Sequence, residues 1–386
     1  MPLQNTTFKP DTIRYKDVHA ELKSVLTEIR SHDQKVLFEP GRALSSDIRI
    51  GYLQGRPVQR LVITLRSPGC AWVRKGGGCT MCGHYPGTTQ GTALSPQDFS
   101  AQFRREAARY RGRDLPILCL YNSGSVLNEE EIPEEALAGI FEEIERMKEV
   151  RKVVLESRPE YCSEEKIAWI RKRIGGKDLE IAMGLESCND RVLSLTLNKG
   201  FVSEDFRRMA ERIRQYVAIR IYVLLKGPFL TESEAIEDAV SSIEFARTLS
   251  PSEIHLEPAT LQKHTLLHSL HQAGLYDLPW LWSIYEVLSR VGAENRVYVS
   301  PFNHMPRPVH IPENCPDCSE QVRDLLTRRY NETFDLQPVR QFPCACRERW
   351  EHALKEEDPR PLAQRILEGL RVIRQAGGLH RMEAGS

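Results

Sequence analysis

Short runs of apolar, largely β-branched residues recur along the chain at positions 60–67, 116–124, 152–158, 179–187, 218–227 and 253–259. Each is almost continuously hydrophobic, the pattern of a strand buried on both faces. Between them lie charge-rich amphipathic stretches such as LSPQDFSAQFRREAARYR and TESEAIEDAVSSIEFARTL, several opening on Ser, Thr or Pro followed by acidic residues. That opening marks a capped helix. Strands alternating with helices predict parallel βαβ units, hence an α/β fold with either a doubly wound sheet or a full or partial β/α barrel. Ahead of them a helical pattern covers residues 15–30, and the turn-rich EPGRALSSD stretch leads towards the first strand.

In both architectures the polar residues at the C-terminal ends of parallel strands build the site. Here the runs finish in RSPGC, YNSGS, LESRPE, GLESCND, LLKGPF and LEPAT. Cys70, Asn122, Ser123, Glu156, Arg158, Glu186, Lys226 and Glu257 are thereby expected on one rim. Any one of them is also an ordinary turn or cap residue, but six polar ends together exceed what a purely structural sheet needs.

Charge changes the picture by exclusion. Lys plus Arg and Asp plus Glu both number 53 in 386 residues, so no global basic field advertises a nucleic acid. Affinity for one would have to come from local patches at 104–113, 171–177 and 207–215, each of which is equally a solvated helix face. The N-terminus lacks an apolar leader core, and no window approaches 18 uncharged apolar residues, so a cytoplasmic protein without a membrane span is expected. In a large chain of that kind, clustered cysteines point to metal rather than to disulfides.

Cys70, Cys79 and Cys82 fall within one stretch, CAWVRKGGGCTMCGHY, with three consecutive glycines between the first two. A structural zinc site takes four closed ligands. The next cysteine, Cys119, lies inside a predicted buried strand, and His84 is awkwardly close to the last thiol to complete a tetrahedron. Three thiolates on a 4Fe-4S cluster, by contrast, leave one iron open. Gly76, Gly77 and Gly78 let the loop wrap closely around such an object. Nearer the C-terminus, Cys315, Cys318, Cys344 and Cys346 form a CxxC and a CxC. They are a plausible four-thiolate set for zinc, with a second iron-sulfur cluster as the alternative, and would knit a small module beside a terminal helix. Cys119, Cys162 and Cys188 are expected as small core or loop residues.

A first strand followed by a three-cysteine loop ending in CxxC, on a six-unit β/α pattern, resembles the radical S-adenosylmethionine (SAM) superfamily, in the subgroup that includes the Elongator catalytic subunit. The segments RSPGCAWVRKGGGCTMCGHY, YNSGSVLNEEEIP, LESRPEY, GLESCNDRVLSLTLNKGF, LLKGPFLTESEAIEDA and PWLWS are most similar to the family of archaeosine synthase radical SAM subunits. The resemblance implies an α/β fold with a partial (β/α)6 barrel at residues 58–300. An N-terminal helical extension (1–57) would precede it, and a C-terminal four-cysteine module with a terminal helix (301–386) would follow.

The resemblance also implies a chemistry. Cys70, Cys79 and Cys82 would ligate a 4Fe-4S cluster whose fourth iron chelates SAM, and an external electron donor would reduce it, giving methionine and a 5'-deoxyadenosyl radical. Asn122, Ser123 and Gly124 would meet the methionine amino group, Glu156 and Glu186 the polar groups of SAM including the ribose, and Lys199 the carboxylate. Tyr85 would contact the adenine, since His84 occupies the place where many relatives carry an aromatic residue. The implied activity is a tRNA lyase that cleaves the C-N bond of a lysine adduct on a deazaguanine base, leaving archaeosine, after a transglycosylase-type lysine transferase subunit has attached the lysine. No side chain is singled out as catalytic; an alkyl radical demands a dry, accurately shaped site, and the protein's part is placement. Two other readings remain open: a radical SAM tailoring enzyme for another nucleoside or a small molecule, for example by sulfur insertion from a second cluster, and a zinc-stabilised nucleic-acid-binding protein without catalysis.

Overall fold

The computed structural model describes residues 15–31, 36–302 and 304–383, with side chains described as far as residue 375. The first fourteen residues, part of the N-terminus expected to lack a leader, lie outside the described residues. One eight-stranded sheet runs in sequence order: β1 (Ser45–Leu53), β2 (Arg56–Thr64), β3 (Ile117–Tyr121), β4 (Lys152–Glu156), β5 (Asp178–Glu186), β6 (Ala218–Leu225), β7 (Glu253–Pro258) and β8 (Val297–Val299). β2 to β8 are parallel, and β1 pairs antiparallel with β2. When each parallel strand pairs with the next, right-handed crossovers place every helix on the same face, and the sheet curls into an open half-barrel. The six expected strands are β2 to β7, and of the architectures that the pattern leaves open the partial barrel, the one the resemblance implies, is the one that forms.

The two outer strands are additions. β1 reaches β2 through a two-residue turn in which Gln54 and Gly55 both have positive φ, 52° and 76°. This is the tight hairpin geometry that matches strand twist. β8 is only three residues long.

Period-two alternation divides each strand between two environments. Leu61, Ile63, Leu118, Leu120, Val153, Leu155, Ile181, Met183, Ile219 and Ile221 join the main core under the helices. Val62, Cys119, Val154 and Ala182 form a small cluster on the concave side, with Tyr121 and Tyr222 packed against it. The helices start where the caps specify: Ser95 Oγ accepts from Asp98 N at 3.2 Å, and Thr231 caps the helix Glu232–Thr248 in the same way. Near the N-terminal ends of the strands a buried ion cluster closes the concave side. There Arg220 lies 2.6 Å from Glu180 and 2.9 Å from Glu253, and Lys152 lies 2.5 Å from Glu180. The helix Tyr15–Ser31 buries Val18, Leu22, Val25 and Leu26, and its Arg30 donates to the Cys82 carbonyl at 2.7 Å, tying this helix to the thiol loop. No helix among the described residues is long and apolar enough to cross a membrane.

Candidate active site and metal centre

The thiol loop leaves β2 and folds back on itself. Cys70 caps the short helix Ala71–Gly76, which ends at Gly77 with φ 82°, and Gly78 continues with φ 78°. A Cβ at Gly78 would stand 2.6 Å from Val73 Cγ2, and one at Gly76 would stand 2.5 Å from the Trp72 ring. The glycines are therefore required by the loop's contact with its own helix. Asn198, beyond β5, clamps the turn from outside: its Nδ2 donates to the Gly76 carbonyl at 2.9 Å and the Gly78 carbonyl at 2.7 Å. Trp72 Nε1 returns a hydrogen bond to the Asn198 carbonyl at 2.7 Å. On the other side Gly83 N donates to Gln262 Oε1 at 2.6 Å. All three loop thiols are half-buried.

Glu131 joins this loop to the YNSGS turn after β3. Its carboxylate accepts from Ala71 N (2.9 Å), Ser125 N (2.7 Å), Asn122 Nδ2 (3.1 Å) and Asn128 Nδ2 (3.0 Å), and the residue is 1% exposed. A side chain at Gly124 would overlap Glu131 Oε2 and stand 3.0 Å from Cys70 Cα. Beside this knot, Asn122 Oδ1 and Ser123 Oγ are buried with no hydrogen-bond partner. Ser123, Glu186 and Lys226, each at the C-terminal end of a strand, have φ of 60°, 67° and 70°. Non-glycine residues in this region cost on the order of 1 kcal/mol or more each, and such strain collects where a site dictates the backbone.

The electrostatics are those of a pocket rich in acid. Burial, then the neighbouring Glu131, pushes the Glu156 carboxyl up to about 7. Burial likewise lifts Glu257 to about 7, against a hydrogen bond donated by Ser300. Cys70 is raised to about 12 by burial, by Glu131 and by Cys79. Burial opposes the charge of Lys199, yet Glu186, 3.2 Å away, and Cys79 outweigh it and its pKa is raised. His84 and His304 are held down at about 4, chiefly by burial. Such a pocket favours a cationic guest.

Cys70, Asn122, Ser123, Gly124, Glu156, Glu186, Lys199 and Glu257 thus share one end of the half-barrel. Two expected rim residues are occupied elsewhere. Arg158 Nη2 donates to the Lys199 carbonyl at 2.6 Å and its guanidinium lies over Trp72 at 5.5 Å, so it braces the loop. Lys226 Nζ pairs with Glu232 at 2.5 Å. The ring of Tyr85 is packed near Gly69, where an added Cβ would stand 2.9 Å from Tyr85 Cδ2. The sequence gives little warning of Glu131 and Asn198: the former stands in NEEEIP, which reads as helix-start acidity, and the latter in a loop without periodicity.

In the C-terminal region Cys315, Cys318, Cys344 and Cys346 have their sulfurs within 4.8 Å of one another, an arrangement that could hold one metal ion. Cys315 Sγ is 3.5 Å from both Cys318 Sγ and Cys344 Sγ, and Cys318 Sγ is 3.5 Å from Cys346 Sγ. Trp282 Nε1 donates to Cys346 Sγ at 3.2 Å. Hydrogen bonds among the thiols pull Cys315 down to about 7 against the effect of burial, while burial raises Cys318 and Cys346.

No protein-family model matches the chain. A solved archaeal Elongator protein Elp3 from Methanocaldococcus infernus aligns over 62% of this chain and 59% of its own at 15% identity with a TM-score of 0.45, a likeness too remote to weigh. Two curated relatives are much nearer. Archaeosine synthase subunit beta from Thermococcus kodakarensis is 31% identical over 307 residues, 78% of this chain and 93% of the relative. Archaeosine synthase subunit beta from Methanosarcina acetivorans is 34% identical over 315 residues, 79% of this chain and 88% of the relative. At that identity and coverage, the chain belongs to the archaeosine synthase subunit beta family.

Proposed function

We propose that this chain is a radical SAM enzyme of tRNA modification, cleaving the C-N bond of a lysine adduct on a deazaguanine base to leave archaeosine. The observation that carries the reading is the knot at Glu131: it fixes the three-thiol loop against the YNSGS turn and leaves Asn122 Oδ1 and Ser123 Oγ buried without partners beside the thiols. The fit to SAM is chemical. Orphaned acceptors suit an ammonium group, and the surplus of carboxylates and thiols suits a sulfonium cation. Three thiols suit a cluster with one open iron.

Cys70, Cys79 and Cys82 would then hold the 4Fe-4S cluster. Asn122, Ser123 and Gly124 would receive the methionine amino group, Glu156 and Glu186 the polar groups of SAM, Lys199 its carboxylate and Tyr85 its adenine. When bound and reduced by an external donor, the cluster and SAM supply the hydrogen-abstracting species. The chain's own part is placement: Glu186 steadies the Lys199 ammonium, Asn198 and Gln262 hold the loop from its two sides, and Arg158 braces it over Trp72. A subunit named beta has a companion, and the reading assigns that role to a lysine transferase of the transglycosylase type, which would supply part of the tRNA affinity that a net charge of zero does not.

For the four C-terminal thiols the reading is zinc. Tetrahedral Zn-S bonds of about 2.3 Å set the sulfurs about 3.8 Å apart, near the 3.5 Å separations here, whereas a cluster interposes irons and sulfides between them.

The test is anaerobic purification. About four irons per chain in addition to zinc, SAM cleavage that disappears in Cys79→Ala, and conversion of lysine-bearing tRNA to archaeosine are expected. Zinc alone with no deoxyadenosine would overturn the enzyme; intact tRNA despite active SAM cleavage would overturn the substrate and favour tailoring of another nucleoside.

A further inference from the structure

Below the rim, the inner wall of the half-barrel carries hydrogen-bond donors that neither the fold nor the proposed cofactor uses. Arg60 projects from β2 and Arg220 from β6, close enough that each feels the other's charge. Arg220 is 1% exposed, and its Nη2 serves both Glu180 and Glu253. Its Nε and Nη1 are buried with no partner, and so is Nε of Arg60. Buried guanidinium donors are rarely left open, because an unmade hydrogen bond to a charged group is costly. Nε of Arg30, Arg66 and Arg323 is buried without a partner as well, but among the described residues only Arg220 leaves two such donors open.

The surroundings are enclosed without being fully closed to solvent. Tyr121 and Tyr222 each keep some accessible surface. Burial is nevertheless the largest influence on both, lifting Tyr222 to about 12 and Tyr121 well above its ordinary value. Val62, Cys119, Val154 and Ala182 pack against these two rings and give the concave wall an apolar patch. Glu257, whose own hydrogen bond comes from Ser300, lies close enough to feel the charges of both arginines without an ion pair to either.

We infer that Arg60 and Arg220 form a subsite for a carboxylate carried at the end of a flexible arm of the substrate. The two oxygens of a carboxylate can accept one bond from each arginine, at Arg60 Nε and at an open N-H of Arg220, and a single negative charge suits a wall that also holds Glu180, Glu253 and Glu257 better than a phosphate dianion would. The inference rests on the proposed function. With the breaking C-N bond at the rim, the arm is the lysine, and its amino-acid end hangs down the concave side. The carboxylate meets the two arginines, and the ammonium on the same carbon meets Glu257. Anchoring the far end fixes which carbon of the arm faces the thiol loop, the placement that an indiscriminate radical requires.

The test uses the full-length, metal-loaded protein and two free probes: Nε-acetimidoyl-L-lysine, which has the same amidine-linked arm, and its decarboxylated counterpart, N-acetimidoyl-cadaverine. By calorimetry the wild type should prefer the carboxylate probe by about ten- to hundredfold. Arg60→Gln, which leaves the Arg220 ion pairs intact, should erase most of the preference by removing one of the two charges and the Nε donor, and Arg60→Lys, a charge without that donor, should keep more of it; an unchanged melting temperature certifies both folds. Equal affinities in the wild type, an undiminished preference in Arg60→Gln, or a crystal structure with only ordered water on the three donors would overturn the subsite. A preference that Arg60→Gln largely erases, in an enzyme that leaves lysine-bearing tRNA intact, would keep the subsite and sink the substrate assignment. Turnover of that tRNA without any preference would do the reverse.

Discussion

Glu131 illustrates how a site is set by a residue that carries no chemistry of its own. Two backbone N-H groups and two asparagine amides converge on one buried carboxylate, one of them from the helix that Cys70 caps. In Glu131→Gln an NH2 group replaces one acceptor oxygen and faces donors. A loss of about 1–3 kcal/mol in urea unfolding is expected, together with substoichiometric iron after reconstitution; full iron loading would show that the loop holds without the knot. Glu156 makes a prediction about pH. Its folded pKa, about 7, lies above the ordinary 4.5, so the protonated form is the one that folding favours. Its contribution to stability is complete below about 4.5 and disappears as pH rises through about 7. The metal-free, SAM-free protein should therefore lose thermal stability between about pH 5 and pH 8, less steeply in Glu156→Gln, and a cationic occupant should flatten the slope. A slope unchanged in Glu156→Gln would remove this carboxyl from the account.

At the scale of elements, what the sequence discloses is what depends on local pattern. β2 to β7 are near-continuous apolar runs because both faces are covered, and the Ser95 and Thr231 caps stand at their helix starts. The hairpin that adds β1 uses Gln-Gly in place of the more recognisable Asn-Gly, and Ile50 on that strand is 57% exposed, so neither turn nor alternation identifies it. The thiol loop is legible in its spacing. Its clamp is not, since Asn198 lies 120 residues beyond Gly78 and only the fold brings them together. Asn198 has φ 51°, which asparagine and glycine tolerate better than alanine. Asn198→Gly therefore isolates the two lost hydrogen bonds, and Asn198→Ala adds backbone strain. Both should unfold at lower urea than the wild type, alanine lower still by about 1 kcal/mol, and both should lose iron faster to a chelator. Equal stability of the two variants would mean that the backbone conformation costs nothing there.

Across the whole molecule, the C-terminal thiol knot and the rim are mechanically one object. Cys346 accepts from Trp282 and opens the helix Cys346–Ala353, which carries Trp350. Trp350 Nε1 donates to Ser283 Oγ at 2.8 Å, Ser283 donates to Glu232 Oε1 at 2.5 Å, and the other oxygen of Glu232 holds Lys226 at the end of β6. Tyr276 then donates to the Lys226 carbonyl at 2.8 Å, bracing a residue whose φ is 70°. A metal at the knot would thus stabilise more than its own segment, since binding energy available only to the folded arrangement is folding energy for everything linked to it. Cys318→Ser should release the metal and lower the melting temperature. Trp350→Phe separates the two effects, because it keeps an aromatic ring and the thiols while removing the donor to Ser283 together with part of the buried indole. With metal content unchanged, SAM cleavage in Trp350→Phe should fall several-fold, about the effect of one hydrogen bond to a buried network. Wild-type cleavage in that variant would mean that the knot holds its own module and leaves the rim untouched.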